Sequence, residues 1–369
     1  MLKNKSRTTL SRDTLPLSPI EIREIAVGFQ RSRVLLTAFE LGLFTALATG
    51  SRSSSQVARF LHTDHRATDR LMNALCAMGL LRKKGNRFSN TRAAERYLVK
   101  GKAEYMAGLM HTVHLWNRWS TLTGAVRRGT SIAIDHPGAS ATVWRTAFIA
   151  AMHERASKIA PTVVGMLDLS RVSRVLDVGG GSGAYAIAFA RARKGLSATV
   201  FDLPDIIPLT KGYVKREGLS QRIDFLPGDF NIDEIIAKSP GPVTSKGGTP
   251  SPNGSSTARG SNPRLYNLVF LSAIIHSNSV QENRMLMKKC VRALNPDGQV
   301  VVQDFIMNEN RTGPVSAALF ALNMLVGTEA GDTYTEKEVH SWMRRAGLSK
   351  IVRKDTEFGT TLIIGTKGR

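Results

Sequence analysis

Cysteine is scarce in this sequence: there are two in 369 residues, Cys76 and Cys290, far apart and both inside apolar helical patterns. So sparse a set excludes a disulfide framework and points to a reducing, cytoplasmic setting. Also missing is any run of about 18 apolar residues, so no segment is expected to span a bilayer, and the start lacks the apolar core of a secretory signal. Acid is the third shortage. Against 51 Lys and Arg stand 29 Asp and Glu, a formal charge of +22, and no acid precedes Asp13. Such a surplus attracts polyanions without specificity. The bases are dispersed rather than blocked, however, which is the pattern of a solvated basic surface and not of a nucleic-acid footprint. Residues 1–19 read as a disordered basic tail.

What is present divides the chain. Residues 20–48 carry Ile22, Ile25, Ala26, Phe29 and Val34 at helical spacing, with an interruption near Gly42. "SRSSSQVARFL" and "TDHRATDRLMNALCAMGLL" read as two capped helices, and "LRKKGNRFSNT" as a basic hairpin turning at Gly85 and Asn86. Two helices and a hairpin predict a winged helix-turn-helix over 20–102. From 103 to 162 the pattern is helical and holds Trp116, Trp119, Trp144, Phe148 and Met152.

After that the rhythm changes. "RVLDVGG", "SATVFDLP", "RIDFLPGDF", "YNLVFLSAIIH" and "GQVVVQDF" are short apolar runs separated by helix-length segments, which predicts a parallel sheet covered on both faces. Helices are expected over 315–326 and in "TEKEVHSWMRRAGL". The closing runs "SKIVRKDT" and "TTLIIGTK" meet at Gly359 as an antiparallel hairpin. Residues 239–263, almost all Ser, Gly, Pro, Thr and Asn, cannot bury enough apolar surface to offset their ordering entropy and read as a disordered insertion.

The stretch "LDVGGGSGAY", 176–185, satisfies a dinucleotide-type glycine pattern at Gly179, Gly181 and Ala184. Its neighbours change the meaning. Asp177, two residues before the first glycine, is a poor companion for a pyrophosphate and a good one for an ammonium group. Asp202, about 20 residues on, ends the second run where an acid accepts from ribose hydroxyls. Asp229 ends the third beside Phe230, suiting an adenine amine and ring. Three acids at successive strand ends fit a cationic adenosyl cofactor, S-adenosylmethionine, and disfavour NAD.

With "LDVGGGSG", "FDLPDII", "RIDFLPGDF", "LSAIIHSNS", "ALNPDGQVVVQDF" and "ALFALNMLVGTEAGDTYTEKE" in place, the chain resembles the S-adenosylmethionine-dependent O-methyltransferases of the caffeate, acetylserotonin and bacterial small-molecule type over about residues 15–367. The resemblance implies an α/β class I methyltransferase domain, Rossmann-like with a mostly parallel seven-stranded sheet, over 163–369. It further implies an N-terminal all-α, winged-helix dimerisation domain, with pocket helices over 103–162 between the two. It puts Asp177, Gly179 and Gly181 on the cofactor loop, Asp202 with Leu203 on the ribose side, and Asp229 with Phe230 on the adenine side. His276 falls on the catalytic base and Asp304 on an acid that flanks it. Three positions depart from the family: Ser277 follows the histidine, Ser272 takes the place of a lysine on the cofactor side, and Thr333 stands for the second flanking acid, with Asp332 one place away.

The expected activity is methyl transfer to a phenolic hydroxyl of a small aromatic acceptor by a cytoplasmic homodimer, with no metal, no membrane and no specific nucleic acid. Phe320, Asn323 and Met324 share one helix face beside the acceptor, and Trp116, Phe148 and Met152 are candidates for the opposite wall. Packing alone would also explain all six. The rival is a winged-helix, DNA-associated regulator with the methyltransferase-like part as ligand sensor. His65, Arg66, Arg70, Asn73, Arg82, Lys83, Lys84 and Arg87 argue for it, and the acid set and His276 would have no purpose in it.

Overall fold

The computed structural model describes residues 17–133, 141–236 and 265–369. The insertion expected at 239–263 lies outside these residues, as do residues 1–16 of the expected tail. The chain forms two compact units, one ending at Val113 and one beginning at His114.

In the first unit, α1 (Pro19–Val27) starts at a reciprocal Ser18–Glu21 cap. Gly28 separates it from α2 (Phe29–Glu40), and Gly42, at φ 72°, turns the chain into α3 (Leu43–Ala46). The predicted break at Gly42 is therefore joined by a second at Gly28. Strand β1 (Arg52–Ser53) leads to α4 (Ser54–Leu61), α5 (His65–Ala77) and the hairpin of β2 (Leu81–Lys84) with β3 (Arg87–Asn90), to which β1 adds antiparallel. A short α6 (Arg92–Tyr97) follows. Phe39, Leu43, Phe44, Met72, Leu75 and Phe88 form the core. Helix α1 contributes nothing to it: none of its residues is buried, and Ile20 and Ile25 are about 70% exposed, at 71% and 70%.

Helix α7 (Leu109–Trp119) runs from the first unit into the second, where α8 (Leu122–Arg128) and the 25-residue α9 (Ala141–Gly165) follow. The sheet then begins: β4 (Arg174–Val178), α10 (Ala184–Ala192), β5 (Ser197–Asp202), α11 (Ile207–Arg216), β6 (Ile223–Pro227), β7 (Tyr266–Ser272), α12 (Val280–Arg292) and β8 (Leu294–Asp304). A short parallel pair, β9 (Ile306–Met307) with β10 (Tyr334–Thr335), flanks α13 (Val315–Gly327). Helix α14 (Glu336–Arg345) and the antiparallel hairpin of β11 (Leu348–Asp355) and β12 (Thr361–Lys367) close the chain.

The strand order is β11-β12-β8-β7-β4-β5-β6, with β12 antiparallel to its neighbours and β4 to β8 mutually parallel. The central strands β4, β5, β7 and β12 and the second half of β8 are buried on both faces because they are almost wholly apolar, whereas the edge strand β11 is largely exposed. Val175, Leu268, Phe270 and Val301 pack toward α9 and α10, whereas Leu176, Val269, Leu271 and Val302 pack toward α12 and α14. The chain first winds from β4 outward to β6, then crosses over to lay β7 on the other side of β4. That reversal is where open α/β sheets form a crevice at the carboxyl ends of their strands.

Candidate active site

The glycine loop leaves β4 beside this crevice. Gly179 sits at φ 66°, and a side chain there would run into Cδ1 of Ile274, two residues before His276. The loop and the histidine turn thus emerge from neighbouring strands and meet. The Gly181 N–H donates to Asp202 Oδ2 at 2.7 Å, Leu203 N–H donates to Oδ1 at 2.7 Å, and Thr210 Oγ1 donates to the Gly181 carbonyl at 2.6 Å. Burial pushes the Asp202 carboxyl above the usual carboxylate range, an environment that further hydroxyl donors would ease. Asp229 Oδ1 accepts from Asn231 N–H at 2.8 Å, and Phe230 lies over Gly179. An acid that accepts from two backbone N–H groups, a second acid and an aromatic face around an open backbone turn are features that suit an adenosyl cofactor.

Asp177 does different work from the ligand contact expected of it. Strand alternation turns its side chain toward α10, where it is 1% exposed. Helix α10 begins at Gly183, which has no side chain to cap it, and Asp177 Oδ2 accepts from Ala186 N–H at 3.2 Å in place of a cap. Burial raises its pKa to about 7, with the Asp202 charge adding to the shift and the Ala186 bond opposing it. Ser272 faces the same side. Its hydroxyl donates to Gln303 Oε1 at 3.1 Å, and Tyr185 joins that pair.

His276 sits in a 3-10 turn after β7 and is 9% exposed. Its Nδ1 lies 2.7 Å from Asp304 Oδ1 at the end of β8. The carboxylate accepts, so Nδ1 carries the hydrogen, and in the neutral imidazole the lone pair is then on Nε2, which no described residue bonds. Asp304 also accepts from Phe305 N–H at 2.8 Å. Phe320 meets the imidazole edge-on, with ring centres 4.8 Å apart, and packs against Phe305 in a tilted arrangement at 4.4 Å.

Asp332 is a correction. Its carboxylate turns away to Arg311 at 3.1 Å, drawn by a guanidinium that also bridges Glu338. What Asp332 offers the histidine is its backbone N–H, which donates to the His276 carbonyl at 3.0 Å. Thr333 is fully buried and donates to the Ala317 carbonyl. Gly331 permits this close pass, because a side chain there would strike the His276 carbonyl.

Of the acceptor candidates, Phe320 reaches the histidine, and Asn323 Oδ1 accepts from Trp119 Nε1 at 3.0 Å, which joins α13 to α7. Met324 is buried, and Trp116, Phe148 and Met152 are half-buried. Sequence reasoning missed several residues. His153 Nδ1 lies 2.8 Å from Ser182 Oγ in the glycine loop, and burial with nearby Arg216 holds its pKa down. Lys289, buried on α12, donates to the carbonyls of Phe230 at 2.8 Å and Asp233 at 2.7 Å, tying down the turn after β6. A lysine in an amphipathic helix gives no sign of this. Phe305 and Arg155 went unremarked, although one directly follows Asp304 and the other lies three residues beyond Met152.

The description "O-methyltransferase dimerisation domain" matches residues 23–100, and "O-methyltransferase domain" matches 127–238 and 261–349. The chain belongs to the family of S-adenosylmethionine-dependent O-methyltransferases. This methyltransferase is 31% identical to 3-hydroxy-5-methyl-1-naphthoate 3-O-methyltransferase of Streptomyces sahachiroi over 90% of each chain. It is 28% identical to the tetracenomycin polyketide synthesis 8-O-methyl transferase TcmO of Streptomyces glaucescens, over 95% of this chain and 97% of the other. Human N-acetylserotonin methyltransferase, solved in complex with S-adenosylmethionine, shares the fold at a TM-score of 0.77 and 24% identity over 97% and 99% of the two chains. None of these likenesses supports the DNA-regulator alternative. The gap in the match, 239–260, falls within the segment read as an insertion. Among the described residues, no helix is long and apolar enough to cross a membrane and no cluster of metal-ligating side chains occurs.

Proposed function

We propose that this methyltransferase acts on a hydroxyl of a small aromatic molecule, with His276 as general base and Asp304 as the acid that orients it. The observation that carries the reading is the His276–Asp304 bond, which leaves Nε2 open in a turn packed against the glycine loop. The aromatic acceptors named for the relatives, a naphthoate and a tetracenomycin, support the acceptor class.

Bound S-adenosylmethionine supplies an electrophilic methyl group on a sulfonium. Asp202 and Leu203 hold its ribose side and Asp229 and Phe230 its adenine side, with Gly179 and Gly181 giving the backbone room. Ser272 and Asp177 support this half from beneath. Phe320, Asn323 and Met324 wall the acceptor on one side, and Trp116, Phe148 and Met152 on the other, aligning its oxygen and excluding water; alignment of this kind is worth up to about 7–11 kcal/mol in model systems. A phenol ionises near pH 10 and histidine near 6.5, so prior proton transfer would be uphill by about 4.8 kcal/mol. The proton therefore leaves as the methyl arrives, or a cationic cofactor beside the acceptor would favour the phenolate; in either case His276 is the group that accepts it.

We assign residues 20–102 to a winged-helix dimerisation domain, 103–162 to pocket helices and 163–369 to catalysis, in a cytoplasmic homodimer. The exposed apolar side chains on and beside α1 support dimerisation, since Leu17, Ile20, Ile22, Ile25 and Phe29 are each more than half exposed in a single chain. Light scattering should report a dimer, and any DNA binding should fade steeply with salt. Transfer of labelled methyl to a panel of phenols, hydroxyquinones and amines tests the activity. Methylated amines with untouched phenols would overturn the hydroxyl assignment.

A further inference from the structure

Helix α9 presents two adjacent stripes to the catalytic unit. Ile149 and His153, four residues apart, face the glycine loop: Ile149 packs at Gly181, and His153 reaches Ser182. Phe148, Met152 and Arg155 follow the i, i+4, i+7 spacing of the next stripe. Arg155 ends that stripe with its guanidinium carbon 5.8 Å from the centre of the Phe305 ring. Phe305 is bonded through its N–H to Asp304 and packs at a tilt against Phe320, which touches His276. A fixed positive charge thus stands on the aromatic wall beside the catalytic pair.

Arg155 is exposed, and no described carboxylate pairs with it, so its charge is open to an anionic group on a ligand. A neutral aromatic acceptor needs only the apolar faces of Phe305 and Phe320. The planar fork of a guanidinium is suited to a carboxylate, which it binds through two parallel hydrogen bonds. We propose that Arg155 makes the acceptor site selective for aromatic hydroxyl compounds that also carry a carboxylate. The proposal rests on the hydroxyl-acceptor reading above and adds the charge class of the substrate.

The test uses the full chain and a matched pair, a naphthol and a hydroxynaphthoate whose carboxylate is on the far ring. Binding of each is measured by calorimetry with S-adenosylhomocysteine present, and kcat/KM by methyl transfer. The hydroxynaphthoate should be favoured by roughly 10–100-fold, mainly through KM, as expected for a charge-assisted pair. Arg155→Gln should bring the ratio of the two acceptors close to one, and Arg155→Lys should leave it between. Arg155→Glu should turn the preference toward an ammonium-bearing phenol. The affinity of each variant for S-adenosylhomocysteine reports that its fold is intact.

Equal handling of the pair by the wild-type enzyme would overturn the proposal. So would equal losses on both acceptors in Arg155→Gln, which would make Arg155 a packing residue. Good methylation of the naphthol with no preference sinks this proposal alone. Refusal of both hydroxyl compounds while amines are methylated sinks the hydroxyl-acceptor reading with it.

Discussion

The two halves of the catalytic edge are built from different materials. At the ends of β4, β5 and β6 the cleft is mostly backbone, with glycines at positive φ, N–H groups folded onto Asp202 and two carbonyls held by Lys289. At the ends of β7 and β8 it is mostly side chain, an imidazole fixed by a carboxylate and boxed by Phe305 and Phe320. A backbone cradle binds a shared part of many ligands, while side chains set the chemistry and the choice of acceptor. The difference teaches that damage to the two halves should separate cleanly, one in cofactor affinity and one in turnover.

The largest separation is expected at His276. His276→Ala should leave the dissociation constant for S-adenosylhomocysteine nearly unchanged and lower kcat by roughly 10²–10⁴. Asp304→Asn keeps the shape but loses the carboxylate that selects the tautomer, so kcat should fall by about 10–100-fold, again with cofactor binding intact by calorimetry. On the other half the pattern reverses. Lys289→Met leaves the Phe230 and Asp233 carbonyls without their donor, so affinity for S-adenosylhomocysteine should weaken by about tenfold while kcat at saturation stays within about twofold. A loss of kcat as large as the loss of affinity would break the division.

The smallest effect sharpens the account of Asp177. Burial raises this carboxyl from 3.8 to about 7, so the folded protein keeps a proton that the unfolded chain releases. The stability this gives is full below about pH 4 and is lost as pH rises through 7. Asp177→Asn keeps an acceptor for Ala186 N–H and has no charge to bury. Its stability relative to wild type should therefore climb between about pH 4 and 7 and level off above, by at most a few kcal/mol. A pH-independent difference in thermal melting would show that Asp177 is not buried as an acid in the folded state.

The same contrast explains what the sequence revealed. Short apolar runs spaced by helix-length segments made every strand of the large sheet readable, and the glycine pattern made the turn after β4 readable, because both are local. Asp177 alternates with Leu176 and Val178, and that local pattern turns it toward α10. The catalytic corner depends on pairings that no local pattern records. His276 and Asp304 are 28 residues apart, and Asp332 sits beside Arg311, which redirects its carboxylate, 21 residues away. Lys289 lies more than 50 residues from the carbonyls it holds. Arg155 is an exposed base, and only the fold brings it to 5.8 Å from the Phe305 ring centre.

Proton removal by His276 during methyl transfer is most directly tested by acceptor acidity. Turnover of wild type and His276→Ala should be compared on a series of aromatic hydroxyl compounds of graded pKa but similar shape. The rate lost on removing the imidazole should be greatest for the least acidic hydroxyl and shrink steadily as the acceptor ionises by itself, with S-adenosylhomocysteine affinity constant throughout. A loss of the same size across the whole series, or no loss at all, would contradict the assignment and leave positioning alone to carry the reaction.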